Sequence, residues 1–235
     1  MDAYWIVLVP LLPFGVAVLI GVLHFCRLID GEDHERITAA MSVWPMGLST
    51  LLSLSFLITD LSGNQVAEQL YGSWLSNNHF SIDFSVRSSG FNLTLATLFA
   101  VLLLVVMRFS VNYLHREVGF HRFFFMLNLF VAAMMLLVLS GNALFTFVGW
   151  EVAGVCSYWL IAYAYDRPIA AHNATRVFVT NRVGDGGFIL AIALTLLWLD
   201  SADWQVINNS VTELDRGDAT LLALDRKSTR LNSSH

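Results

Sequence analysis

The chain reads as an all-α polytopic membrane protein with six transmembrane helices. Three observations predict this: 56% of its 235 residues are hydrophobic, only 13% are charged, and the mean hydropathy is +0.63. A soluble domain of this length has no interior large enough to hide so much apolar surface, whereas a bilayer covers it from outside. The apolar residues also gather into runs of about 20, the length a helix needs to cross ~30 Å of hydrocarbon.

The first run, Tyr4–Leu23, lacks a basic leader, contains Pro10 and Pro13, and ends in His24-Phe-Cys-Arg27 without a small-residue cleavage pattern. It is expected to stay as helix one rather than to be removed as a signal peptide. Met41–Thr59 supplies helix two. The outer loop 60–90 is long and polar, and Phe80-Ser-Ile-Asp-Phe-Ser-Val86 alternates as a strand does, which predicts a small β-hairpin or surface segment over the helix ends. Phe91–Val111, Phe123–Ser140 and Ala143–Tyr165 give helices three, four and five. The clean apolar run Gly186–Leu199 is too short to span alone, so helix six must begin near Phe178 and carry Arg182 and Asp185 into or near the bilayer. The chain thus divides into residues 1–112, holding helices one to three and the outer loop, and residues 113–224, holding helices four to six.

Arginine sets the orientation. Arg27, Arg36, Arg108, Arg116, Arg122, Arg167 and Arg176 fall on one side, against Arg87 and Arg216 on the other. The positive-inside rule then places the N-terminus outside and the loops 27–40, 112–122 and 166–176 in the cytoplasm. Several of the tryptophans, Trp5, Trp44, Trp74, Trp150, Trp159, Trp198 and Trp204, lie near span ends as an aromatic belt would. Cys26 and Cys156 are isolated and indicate neither a disulfide framework nor a zinc site. His115 and His121, six residues apart, share no helix face for a metal and are expected to be solvated or interfacial. No Gly-rich dinucleotide fingerprint, P-loop or Fe–S cysteine spacing is present. No cofactor is therefore expected on this chain, nor nucleic acid among its partners, and electron transfer and nucleotide hydrolysis are expected on partner chains.

Asp225-Arg-Lys-Ser-Thr-Arg-Leu-Asn-Ser-Ser-His235 corresponds codon by codon to a translated short-read sequencing adapter. It is expected to be library carry-over, with Leu224 a truncation point. Asp225 against Arg226, Lys227 and Arg230 makes this tail net +2, so the formal charge of −5 becomes −7 for Met1–Leu224. The tail also holds the only lysine. The remainder has ten arginines, and arginine effectively never releases its proton.

Glu151 is the residue that asks for a function. It is the ninth residue of Ala143–Tyr165, so at 1.5 Å per residue it lies roughly 12 Å into a core of about 30 Å. An acidic residue at the centre of a span opposes insertion by roughly 2.5–3.5 kcal/mol, which makes it a candidate for proton or ion handling. Desolvation there favours the neutral carboxyl and a nearby cation the carboxylate, so a moving charge or a water wire would switch it. A permanently protonated carboxyl hydrogen-bonded across helices is the alternative. Gly149, Ala153 and Ser157 recur every fourth residue and let another helix approach closely. Arg182 and Asp185 are three apart, on one helix face, where they can neutralise each other. That pair is read either as an internal structural salt bridge or as a charge relay. Arg176 is read as a cytoplasmic anchor or a proton-entry residue.

Three blocks carry a resemblance. Tyr113-Leu-His-Arg-Glu117-Val-Gly119-Phe-His-Arg122-Phe-Phe comes first; Asn128-Leu-Phe then leads to Gly149-Trp-Glu151-Val-Ala-Gly154-Val-Cys156-Ser-Tyr158; Arg176-Val-Phe-Val-Thr-Asn-Arg182-Val-Gly184-Asp185 completes them. From Tyr113 to Leu199 the chain resembles the antiporter-like membrane subunits of respiratory complex I, of the subunit L or chain 5 type. Where that family usually has an Asp-Gly-Leu-Ser type segment entering helix three, this chain has Ser88-Ser-Gly-Phe-Asn92. The resemblance implies the N-terminal part of an antiporter-like inverted-repeat fold and a proton-translocating role among other membrane-arm subunits. It implies that Glu151 is the helix-five carboxylate that pairs with a lysine on helix seven, beyond Leu224, and that Arg182 and Asp185 relay charge. The implied location is a bacterial-type or organellar inner membrane. Alternative hosts are a multisubunit cation/proton antiporter and an inorganic-carbon accumulation complex; a passive membrane scaffold is the alternative outside transport.

The arginine asymmetry has a direct test. Reporter fusions after Arg36, Arg122 and Arg167 should report the cytoplasm, and fusions near Gly72 and Asn208 the outer side; opposite labelling would overturn the orientation.

Overall fold

The computed structural model describes residues 3–64, 68–76 and 81–213. A 3₁₀ turn over Ala3–Val7 leads into α1 (Leu8–Phe25), followed by α2 (Glu35–Leu61), β1 (Gln69–Ser76), β2 (Ser81–Val86), α3 (Gly90–Tyr113), α4 (Phe120–Leu139), α5 (Ala143–Ile161), α6 (Pro168–Leu199) and the short α7 (Trp204–Glu213). Among the described residues six helices, α1 to α6, are long and apolar enough to cross a membrane, as the sequence predicts. Residues 214–235, which include Leu224 and the adapter-like tail, lie outside the described residues.

Helix four is the hub. It packs against α1 on one side and α5 on the other, while α2 packs on α1 and α3, and α6 rests mainly on α5. The buried core runs through Ile6, Val9, Ile20, Met46, Phe56, Leu93, Met107, Phe124, Val131 and Met135. Much of the outward surface of α1 to α3, Leu51, Val105 and Phe109 among it, is exposed and apolar, as a lipid-facing surface is.

Polar contacts inside the bundle follow from backbone groups the helices cannot satisfy themselves. Pro13 lies inside α1 and has no N–H, so the carbonyl four residues earlier, that of Val9, loses its helical donor. The Ser49 hydroxyl of α2 donates to that carbonyl at 2.8 Å. Asn128 of α4 donates to Ser42 Oγ at 2.9 Å and to the Phe124 carbonyl at 2.7 Å. His121 corrects the sequence reading. It is 4% exposed rather than solvated, its Nδ1 2.7 Å from Thr38 Oγ1 and its Nε2 3.1 Å from the Gly31 carbonyl. A carbonyl only accepts, so Nε2 carries a proton. His115 is exposed, yet its Nδ1 lies 2.7 Å from the buried Glu35 carboxylate, which also accepts the Arg116 backbone N–H at 3.0 Å.

The described part of the 60–90 loop forms the expected hairpin strands, an antiparallel pair from Gln69 opposite Val86 to Ser76 opposite Ser81, with two register irregularities. It docks on the helix ends through their unsatisfied backbone groups. Arg87 N–H donates to the Leu139 carbonyl at 2.7 Å, Gly141 N–H to the Ser85 carbonyl at 2.9 Å, and Asn142 Nδ2 to the Asp83 carbonyl at 2.6 Å. Asn142 also caps α5, its Oδ1 accepting from Phe145 N–H at 2.8 Å. Ala143 N–H donates to the Ala202 carbonyl at 2.8 Å, and Trp204 N–H to that of Gly141 at 3.0 Å. Three loops, the hairpin, residues 140–142 and residues 200–203, are thereby laced around the start of α5. Beside them, partial burial and then the charge of Asp203 hold the Glu68 carboxyl above its ordinary value, while Arg87 and Ser85 pull it back.

Helix boundaries differ from the hydropathy reading where polar residues extend a helix past the hydrocarbon. α6 starts at Pro168, not Phe178, so the expected 166–176 loop is helical from that point. Proline suits the first helical turn, where its missing N–H costs nothing. At 32 residues α6 is about 48 Å long, more than the hydrocarbon requires. α2 likewise begins at Glu35, and α5 stops at Ile161. α7 has no counterpart in the sequence reading.

The Val9–Ser49 contact gives a coupled prediction. Ser49→Ala should destabilise the protein by about 1–2 kcal/mol, because it strands a carbonyl in an apolar interior. In a Pro13→Ala background the same change should cost little, since an alanine there brings back the backbone N–H that bonds the Val9 carbonyl within α1. Reversible unfolding in detergent or nanodiscs measures both, and equal costs in the two backgrounds would refute the coupling.

Candidate functional site

The direction Glu151 faces is set two residues earlier. A Cβ built on Gly149 would lie 2.8 Å from the Leu137 nitrogen and 2.9 Å from the Ala133 carbonyl oxygen of α4, so only glycine permits this approach. Ala153 and Cys156, one and two turns on, are buried along the same face. Successive helical residues turn by about 100°, so a chain held against α4 at Gly149 presents residue 151 on the opposite face. α6 lies there.

Across that contact Glu151 Oε2 forms an ion pair with the Arg182 guanidinium. The same nitrogen of Arg182 lies 3.5 Å from Asp185 Oδ2. Asp185 is further fixed from α5, where Trp150 Nε1 donates to its Oδ1 at 2.7 Å. The guanidinium carbon sits 4.7 Å from the centre of the Phe178 ring, within cation–π range. The side chains are graded in exposure, with Asp185 at 7%, Glu151 at 23% and Arg182 at 40%. One cation thus bridges two carboxylates on facing helices, with an aromatic ring beside it.

This arrangement refines the sequence reading. The local Arg182–Asp185 pairing is present, but the guanidinium is shared, and Glu151 has a cation partner within the chain. Helical spacing reveals neighbours within α6; it does not reveal which residue of α5 faces them. Arg176 is not drawn in: it is exposed and forms no ion pair among the described residues. Trp150 was visible as the neighbour of Glu151, but its donation to Asp185 had no signal in the sequence. Glu35, buried against His115 and Arg116, was also missed.

A six-helix bundle with a charged cluster between two spans defines an integral membrane protein of antiporter-like architecture. Two family models match the chain: NADH:quinone oxidoreductase/Mrp antiporter, transmembrane region, over residues 140–224, and NADH-ubiquinone oxidoreductase (complex I), chain 5 N-terminus, over residues 74–124. The chain is 37% identical over 195 residues to the chloroplastic NAD(P)H-quinone oxidoreductase subunit 5 of Ceratophyllum demersum, covering 83% of this chain and 26% of that protein. It is 36% identical over 203 residues to the subunit 5 of the Paulinella chromatophora chromatophore, covering 85% of this chain and 30% of that protein. Among solved structures, the fold is shared with a chain of the Mrp complex from Dietzia sp. DQ12-45-1b (TM-score 0.68, 21% identity, 89% of this chain and 21% of that one). A chain of the membrane-bound sulfane sulfur reductase, an archaeal respiratory membrane complex, shares it as well (TM-score 0.64, 18% identity, 86% of this chain and 38% of that one). The chain belongs to the complex I/Mrp-type family of antiporter-like membrane subunits, and its N-terminal part matches the chain 5 model. It spans roughly a quarter to a third of the length of the curated relatives it matches.

The shared guanidinium makes the three side chains energetically dependent. Arg182→Gln should destabilise by about 1–3 kcal/mol, less than a fully buried pair because the site is partly exposed, by leaving two carboxylates facing each other. Adding Glu151→Gln should recover part of that loss. Thermal unfolding of the four-member cycle in nanodiscs decides the matter; additive losses would mean that the two side chains are uncoupled.

Proposed function

We propose that the chain is a proton-translocating membrane subunit of a complex I-like NADH:quinone oxidoreductase, with Glu151 as the group that takes and releases the proton. The observation that supports this most directly is the charge count at the site: one guanidinium faces two carboxylates. With both ionised, one negative charge is left over in a poorly solvated place, and a single proton on the pair neutralises it. Arg182 keeps its own proton throughout. It acts as a positioned charge: when Glu151 is protonated the guanidinium is held by Asp185, and when Glu151 is ionised the guanidinium returns to it. Trp150 holds Asp185 in place during the exchange.

In the parent protein a lysine on a further helix would compete with Arg182 for Glu151, and a shift of that lysine would trigger proton release. Arg176, near the start of α6, is proposed as an anchor or an entry residue. The partners are other membrane-arm subunits and the lipid bilayer, and redox cofactors are assigned to partner chains. The proposed setting is a bacterial-type or organellar inner membrane with the N-terminus outside. The family model that also names the Mrp antiporter favours one second reading, a subunit of a multisubunit cation/proton antiporter. Co-purified partners separate the two: NADH- and quinone-module subunits for the first, a set of small antiporter subunits for the second.

Glu151→Gln keeps shape and hydrogen bonding but cannot ionise. In the full-length protein within its complex it should abolish or strongly reduce proton translocation while assembly remains intact. Normal proton flux in reconstituted vesicles would exclude Glu151 as the proton site and leave the scaffold reading in its place.

A further inference from the structure

At the other side of the bundle from α5 and α6, the ends of α2 and α3 frame an open cleft of about 900 Å³. Its rim carries two guanidiniums outside any ion pair among the described residues. Arg36, in the first turn of α2, and Arg108, near the end of α3, both line it, both are exposed, and neither forms an ion pair among the described residues. The acidic residues at the rim are largely accounted for. Glu35 is held by His115 and by the Arg116 backbone N–H, and Glu32 lies 3.5 Å from Arg116 Nε. With His115 neutral the lining holds three carboxylates, Glu32, Asp33 and Glu35, against three guanidiniums, Arg36, Arg108 and Arg116, and Arg36 and Arg108 are the guanidiniums left outside an ion pair. Below the rim the walls turn apolar, with Ala40, Val43 and Val111, and Trp44 is 79% exposed there. Trp44 lies eight residues beyond Arg36, so roughly 12 Å deeper along α2.

We infer that this cleft is a binding site for an anionic phospholipid, its phosphate held between Arg36 and Arg108 and an acyl chain lying along Val43, Trp44 and Val111. The order of chemistry fits that occupant. A guanidinium pairs with phosphate oxygens through directed, charge-assisted hydrogen bonds, and basic pockets between membrane helices hold anionic headgroups. Trp44, about 12 Å further along α2 than Arg36, offers an exposed apolar face at the depth of the acyl chain. A soluble anion would use the rim but leave the apolar wall and Trp44 without a partner.

The test is photolabelling of the protein in its complex, in nanodiscs doped with phosphatidylglycerol or phosphatidylcholine bearing the same diazirine-tagged acyl chain, with labelled peptides identified by mass spectrometry. Phosphatidylglycerol should label the peptides around Trp44 and Val111 at least about tenfold more than phosphatidylcholine. Each basic side chain near an anionic lipid strengthens the contact by a factor of about five, so Arg36→Gln/Arg108→Gln should lower that labelling by up to about 25-fold. Arg36→Lys/Arg108→Lys, which keeps both charges, should retain most of it and so separates loss of charge from loss of folding. Inorganic phosphate at millimolar concentration should not compete. Equal labelling by the two lipids, an unchanged preference in the glutamine variant, competition by phosphate, or a cleft left unlabelled because another subunit fills it would each overturn the assignment.

Discussion

Inside a bilayer no water is at hand to satisfy a stranded polar group, so each one that enters the hydrocarbon needs a partner in the protein. The consequences can be followed along the bundle. Proline in α1 deprives Val9 of its donor, and Ser49 of α2 supplies one; Asn128 in the middle of α4 finds Ser42. Glu151 on α5 obeys the same rule at higher stakes, since its partner must carry charge, and that fixes α6 against α5 in the register that presents Arg182. Helix contacts that look like packing are therefore also the means by which polar groups are placed.

The close approach at Gly149 and the loops laced around the start of α5 are the two devices that give this placement its geometry. Gly149 fixes the rotation of α5 about its axis, because any side chain there would collide with the α4 backbone. The loops at that end fix its height: the cap at Asn142 and the bonds from the hairpin and from the segment before α7 hold the first turn of α5 at a set depth. Rotation and height together determine where a carboxylate on the third turn comes to rest. The hairpin is remote from the charged cluster and still contributes to it through the rigid helix between them.

The fold was legible in the sequence because hydropathy acts over a whole span: the runs that define α1, α3 and α5 stand out whatever their neighbours do. It misplaced the starts of α2 and α6, where residues such as Glu35, His172 and Arg176 continue a helix beyond the hydrocarbon, since backbone hydrogen bonding rather than apolarity decides how far a helix runs. Glu151 was legible by its depth, and Arg182 and Asp185 by their spacing. The contact between Glu151 and Arg182 was not, because it depends on the rotation of two helices about their own axes. His121 shows the same limit. Its burial depends on Thr38 and on the Gly31 carbonyl, contacts that no local pattern encodes.

Arginine rather than lysine at the centre of the cluster has a mechanistic consequence. A lysine beside Glu151 could give up its proton and leave the pair neutral, so the proton would have two places to reside. Arginine cannot, so within this cluster the proton can rest only on a carboxyl, and the guanidinium contributes by its position alone. One terminal nitrogen of the guanidinium lies beside both carboxylates, with Phe178 against the guanidinium and Trp150 bonded to Asp185. In the proposed role the cluster holds one proton on either of two neighbouring carboxyls, while the guanidinium pairs with the other. In that role, a step elsewhere in the protein that moves a positive charge toward or away from α5 would need only to shift the guanidinium between Glu151 and Asp185 to change where a proton is bound. That is a small displacement along one side chain, and the bundle around it can stay rigid while it occurs.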